Sequence, residues 1–187
     1  MTSTHGPGDR GTADADVSEA LECFYGVWQL REWSATDAAT GRIRLAYNGR
    51  VDGHLIYSRD GWVSATLMEL NRPVVSEDRH ALRQLKDRVV AEGFGAIEQR
   101  DAALMVPYFL AGWGYVGYCG PFRVQGAEVF HEIRNSLVPQ WTGTTLVRTF
   151  AFDMDARQLT LLANRDGKTD RLVWQRADSD VEQRELG

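Results

Sequence analysis

Three side chains in this sequence could handle a polar or charged group inside an apolar setting: His131, Arg148 and Tyr118. His131 lies in the run Val129-Phe130-His131-Glu132-Ile133-Arg134. In an extended strand, alternation sends His131 to one face with Val129, Ile133, Asn135 and Leu137, and sends Glu132, Arg134 and Ser136 to the other. His131 and Glu132 therefore cannot form one acid–base pair in one pocket. If the apolar face looks inward, Glu132 and Arg134 make a solvated pair of little energetic worth. An inward His131, with an ordinary pKa near ~6.5, is the best general acid or base in the chain. A buried histidine hydrogen-bonded to a neighbour fits the same pattern.

Arg148 shares its strand face with Leu146, Phe150 and Phe152. An arginine on such a face must be paired, must snorkel, or must meet a ligand anion. Its planar fork suits a carboxylate or enolate. The alternatives are a stack on Trp28 or Trp174, or a buried pair with Glu32 or Glu69. Aromatic residues crowd the same part of the chain: Tyr57, Trp62, Tyr108, Phe109, Trp113, Tyr115, Tyr118, Phe122 and Trp141. A small barrel needs bulk to fill its middle, but a buried tyrosine hydroxyl also needs a partner. Tyr57 and Tyr118 on facing strands would give an apolar pocket two steering hydroxyls. The expected ligand contacts are Tyr57, Ser64, Thr66, Trp113, Phe122 and Phe150, with Tyr118, His131 and Arg148 as the catalytic set if a reaction takes place. The assignment turns on hairpin register. A two-residue turn at Asp60-Gly61 pairs Tyr57 with Ser64, and a three-residue turn pairs it with Val63.

Several chemistries lack their minimal parts. No phosphate-cradling Gly-x-x-x-x-Gly-Lys loop, no Gly-x-Gly-x-x-Gly at a strand-to-helix turn and no Gly-x-Ser-x-Gly elbow occurs. The four histidines have no metal-ligand spacing, so neither a metal nor a cofactor is expected. Two cysteines, Cys23 and Cys119, are too few for a disulfide scaffold. The 187 residues suit one domain, 43% hydrophobic and 25% charged residues suit a globular one, and a net charge of −5 argues against nucleic acid. Apolar runs fall short of a membrane span, and the N-terminal residues resemble no signal peptide. The expectation is a cytoplasmic protein with reduced thiols, free of membrane contact. A homodimer is left open.

The elements that must position these residues read mainly with period two. Candidate strands are 25–33, 43–47, 54–58, 62–68, 115–124, 128–138, 144–153, 159–164 and 171–176, most joined by short turns. Such a run describes an antiparallel meander, and closure into a barrel removes its edges. An insertion at about 71–112 breaks the pattern. Ser76 can cap a helix to about Ala91 with Leu82, Leu85 and Val89 on one face, and residues 96–105 suit a second, weaker helix. An insertion this long often serves as a lid. Residues 1–16 read as a disordered tail, 17–177 as the domain and 178–187 as a frayed tail. Asp16 and Glu19 form a capping-box pattern for a short helix reaching Cys23.

Gly26-Val27-Trp28 opens the first strand. A tryptophan there can lie across the closed end of a small barrel, and Gly26 lets the preceding segment pass close. Arg176, ending the last strand, is placed to sit on the ring, worth about 0.5–2 kcal/mol. Ordinary core packing of Trp28 is the alternative.

The order of these motifs resembles the bacterial and fungal lipocalin-like domain family. The resemblance rests on Gly26-x-Trp28-x-Leu30, Gly53-His54-Leu55-Ile56-Tyr57, Asp60-Gly61-Trp62-Val63-Ser64 and Tyr115 to Phe122. It continues through Val129-Phe130-His131, Pro139-x-Trp141-x-Gly143, Arg148, Leu159-Thr160-Leu161 and Leu172-Val173-Trp174-x-Arg176. It covers about residues 24–176 and departs at the helix-rich 71–112 and at Cys119-Gly120-Pro121. It implies an all-β, lipocalin-like, up-and-down antiparallel barrel with an interior ligand pocket. The expected function is binding of a hydrophobic or polyketide-like small molecule in secondary metabolism. The alternative is a cofactor-free isomerase or cyclase in the same pocket, with His131 as acid–base and Tyr118 or Arg148 on the developing oxyanion.

Overall fold

A computed structural model describes residues 20–75, 79–155 and 157–177. Asp16, Glu19, Ser76 and both expected tails lie outside the described residues. The first described element is helical, residues 20–24 (α1). The strands are β1 (Gly26–Asp37), β2 (Ile43–Leu45), β3 (Val51–Tyr57), β4 (Trp62–Glu69), β5 (Tyr115–Gln125), β6 (Glu128–Glu132), β7 (Asn135–Ser136), β8 (Thr145–Asp153), β9 (Gln158–Arg165) and β10 (Lys168–Arg176). Two helices, α2 (Arg79–Glu92) and α3 (Ala102–Trp113), separate β4 from β5.

All strand pairs are antiparallel. The order runs β10-β9-β8-β6-β5-β4-β3-β1, and β10 pairs back to β1 to close an eight-stranded barrel. Closure satisfies both edges of the sheet. The twelve-residue β1 pairs β3 through residues 26–29 and β2 through residues 34–36, while its other edge follows β10 from Trp28 to Asp37 across a bulge between Leu30 and Glu32.

Alternation sets the inner face. Leu55 and Tyr57 on β3, Val63, Ala65 and Leu67 on β4, Val129 and His131 on β6, and Leu159 and Leu161 on β9 are all buried. Tyr57 pairs with Val63, the longer of the two turns considered, and Ser58 accepts Gly61 N–H while donating to Trp62 O at 2.8 Å. That register places Ser64 and Thr66 on the outer face, opposite Cys119 and Gly117, so neither reaches the interior.

The expected strand 128–138 is broken. Glu128–Glu132 pairs with β5 through Phe122↔His131, but beyond Glu132 the register slips by one, to Cys119↔Asn135. Gly120 explains the break: a Cβ there would lie 1.8 Å from Glu132 O. Asn135 is exposed and Leu137 half-exposed, so the face shared with His131 ends at Ile133. Glu132 faces outward as expected, but its partner is Arg123 across the strand at 3.7 Å rather than Arg134.

α2 forms where the period predicts, and buries Leu85. The second helix does not occupy 96–105. It begins at Ala102 and takes in Pro107 and the aromatic run to Trp113, after 3-10 turns at Phe94–Ala96 and Gln99–Asp101. Just before it, the Asp101 carboxylate accepts Glu98 N–H and an Arg88 N–H, both at 2.8 Å, closing the 3-10 turn at Gln99–Asp101 and tying it to α2. Those hydrogen bonds, that of Glu98 first, hold the Asp101 carboxyl below its ordinary pKa. No helix among the described residues is long and apolar enough to cross a membrane.

Candidate functional site

One end of the barrel is solid. Phe24, from α1, is completely buried and meets Tyr57, Phe150 and Phe152 edge-on at centroid distances of 4.8, 4.8 and 4.9 Å. Phe122 packs on Tyr57 at 4.8 Å. Tyr57, Phe122 and Phe150, read from sequence as ligand contacts, are therefore walls of a plug built around Phe24. Trp28 lies beneath it and donates its indole N–H to Phe24 O at 2.8 Å. Arg176 sits 4.2 Å over the Trp28 ring and donates to the carbonyls of Cys23 and Tyr25, at and just beyond the end of α1. Gly26 has φ +123°, and a Cβ there would come within 3.0 Å of that guanidinium. The expected arginine–tryptophan floor is present, with the capping of α1 added.

The other end is hollow. A cavity of about 1520 Å³ runs from the middle of the barrel to a mouth under the helices. Its walls include Leu55, Leu67, Val116, Leu161, Ala163 and Trp174. Leu82, Leu85 and Val89 of α2 and Met105, Phe109 and Trp113 of α3 face the mouth. Trp113 is at this rim and largely exposed. Asp170, also on the wall, is engaged by Trp33 Nε1 at 3.2 Å and by Arg165 at 3.4 Å.

The boundary between plug and cavity carries the polar residues. His131 is fully buried, with Nε2 2.8 Å from Tyr57 Oη and Nδ1 3.0 Å from Tyr118 Oη. Both ring nitrogens are thus occupied, and the ring is not on the cavity wall. Tyr118 and Arg148 are. Arg148 is half-buried and donates to the neighbouring Val147 O at 2.9 Å. The sequence offered it Glu32 or Glu69, but Arg171 holds Glu32 at 2.9 Å and Arg50 holds Glu69 at 3.4 Å. Among the described residues no carboxylate pairs with Arg148.

Electrostatics keep this boundary neutral apart from Arg148. Burial first, then the Arg148 charge, lowers the His131 pKa to about 3. Burial pushes the Tyr57 hydroxyl well above its ordinary value, and the Tyr118 hydroxyl is raised by burial against a downward pull from Arg148. Near neutral pH the group is two phenols, one neutral imidazole and one guanidinium. Among the described residues no cluster of three or more His, Cys, Asp or Glu could hold a metal ion.

Of the residues singled out from sequence, the structure brings Tyr118, Arg148 and Trp113 to the cavity. It places His131 behind Tyr118, Tyr57, Phe122 and Phe150 in the plug, and Ser64 and Thr66 outside. Phe24 was missed. Its signal is faint: one aromatic residue at the end of a short helix that must fold back into the barrel.

Comparison with curated proteins gives no match. Among solved structures, the chain is similar to a variant of the fluorescent protein UnaG, with 8% identity, 84% of this chain and 99% of that chain covered, and a TM-score of 0.35. It is also similar to fatty-acid-binding protein 1 of Echinococcus granulosus, with 11% identity, 84% and 99% coverage, and a TM-score of 0.36. The model of the lipocalin-like domain matches residues 25–177, nearly the span over which the motifs run in order. With a closed antiparallel barrel, a tryptophan–arginine floor and that match, the chain belongs to the lipocalin-like domain family.

Proposed function

We propose that the barrel binds a hydrophobic small molecule in its open half, with an anionic or strongly polar end against Arg148. The observation that carries this reading is a guanidinium on the wall of an apolar cavity with no carboxylate among the described residues to neutralise it. Such a charge is costly to hold away from bulk water unless something compensates it. A volume of about 1520 Å³ exceeds that of common drug-sized pockets, so a bulky, multi-ring or folded polyketide-like guest of secondary metabolism suits it better than a compact metabolite. Burying about 300 Å² of apolar guest surface yields roughly 7–8 kcal/mol gross, and association takes back several. Micromolar binding, about −8 kcal/mol, then needs the polar end as well.

Arg148→Met tests the anchor. The side chain's one hydrogen bond is to an adjacent carbonyl, so the fold should survive. Affinity for an apolar sulfonate dye such as 1-anilinonaphthalene-8-sulfonate, read by fluorescence titration, is expected to fall about 10- to 100-fold, the worth of a charge-assisted hydrogen bond. Unchanged affinity would remove Arg148 from the site.

A second reading, a cofactor-free isomerase or cyclase, draws on one observation: Tyr118 and Arg148 lie together on the cavity wall, where two donors can stabilise a developing enolate. In that reading His131 positions Tyr118 and does not touch substrate, since both its nitrogens are taken. A binding protein releases its guest unchanged, whereas an isomerase releases it with altered connectivity or configuration.

A further inference from the structure

We infer that His131 carries its proton on Nδ1, that this turns the Tyr118 hydroxyl hydrogen toward the cavity, and that the head group bound beside Arg148 is therefore a pure acceptor: a carboxylate, an enolate or a comparable oxyanion. The inference deepens the proposed binding role and rests on it for the ligand, but not for the proton.

Donors and acceptors around the His131 ring must balance. A neutral imidazole has one N–H and one lone pair. His131 meets a phenol at each nitrogen, at 2.8 and 3.0 Å. One phenol must donate to the ring and the other must accept from it. The accepting phenol keeps its own O–H to place elsewhere. Tyr57 has nowhere to place it. Its side chain is 1% exposed, closed in by Phe24 and Phe122, and among the described residues its hydroxyl has no partner but His131. Tyr118 stands on the cavity wall. A proton on Nε2 would leave the Tyr57 O–H buried and unmatched, which disfavours that tautomer by about tenfold or more.

The chain of hydrogen bonds then has one direction: Tyr57 O–H to Nε2, Nδ1–H to Tyr118 Oη, and Tyr118 O–H outward. A phenol that already accepts is a better donor, so the polarity strengthens the last link. Beside it Arg148 has donors and no acceptor. The register sets Leu146 opposite His131 and Leu161 opposite Phe150, so the pairs flanking the guanidinium are apolar, while the cavity's neutral polar groups Thr145 and Gln140 carry no charge that could neutralise it. The wall carboxylate, Asp170, is held by Trp33 and Arg165, and the Asn164 Oδ1 accepts from Thr169 at 2.7 Å. The inner end of the cavity thus presents N–H and O–H groups to its guest.

Two measurements on the full chain test this. Long-range proton–nitrogen correlation spectra of the histidine-labelled protein, without ligand and near neutral pH, should show a protonated Nδ1 and a bare Nε2 for His131. A protonated Nε2 overturns the inference. Second, Tyr118→Phe should weaken dodecanoate binding about tenfold, the loss of one hydrogen bond to a charged acceptor. Equal affinity in the variant and the parent overturns the assignment of the hydroxyl. Dodecanoate failing to bind the parent at all overturns the cavity reading instead, and with it the head-group class, while the spectra still report the tautomer.

Discussion

Trp28→Ala is expected to destabilise the protein by about 3–5 kcal/mol, the range for deleting a large buried aromatic. Trp28 is 1% exposed and does three things at once. It fills the closed end of the barrel beside Phe152, it donates to Phe24 O, and it gives the Arg176 guanidinium a ring to rest on. Without the ring, Phe24 loses the hydrogen bond at the end of α1, and Arg176 is left partly buried over a void. Phe24 is the centre of the plug, so the loss spreads to Tyr57, Phe150 and Phe152. Urea unfolding, compared at constant slope, reads the change. A shift below about 1 kcal/mol would mean that the floor is not where the barrel's stability resides.

The second large effect is a dependence on pH. Folded His131 has its pKa lowered to about 3, whereas in the unfolded chain it titrates near the ordinary 6.5. Between those values the unfolded state binds a proton that the folded state refuses, so stability falls as pH falls and is fully present above about 6.5. At about 1.4 kcal/mol per unit, the span amounts to roughly 4–5 kcal/mol by pH 3. Asp101 adds in the same direction only lower down, because a carboxylate with a depressed pKa loses its contribution as pH falls through that value. His131→Gln keeps one donor and one acceptor and removes the titration. Its unfolding free energy should change far less than the parent's between pH 6.5 and 4. Parallel pH profiles for the two would show that His131 is not the buried neutral group described.

Much of the barrel was legible from sequence because its causes are local. Alternation in Leu55–Tyr57, Val63–Leu67 and Leu159–Ala163 needs only the pleat, and turns such as Asp60-Gly61 need only their own φ values. The Trp28–Arg176 contact was legible because closing a meander must bring its first and last strands together. What escaped depended on turn length or on contacts distant in sequence. The side on which Ser64 falls follows from a single residue of turn length, and a one-residue change inverts a whole strand. Tyr57 and Phe122 look like pocket residues until Phe24 arrives between them, and nothing near Phe24 announces that it folds inward. The break after Glu132 follows from the backbone approach at Gly120, which a strand pattern does not record. Helix α3 differs from the expected 96–105: it begins only at Ala102, contains Pro107 and runs on to Trp113. His131 was singled out for the right reason, a titratable group facing an apolar interior. Its role changed because Tyr57 and Tyr118 reach it from both sides.

The most direct test of the hollow barrel is a native mass spectrum of the protein taken from its own cells and sprayed without denaturant. One small molecule per chain is expected, acidic in character, released on unfolding and displaced by excess dodecanoate. A spectrum of bare protein from every growth condition, together with no uptake of dodecanoate by the purified chain, would contradict it.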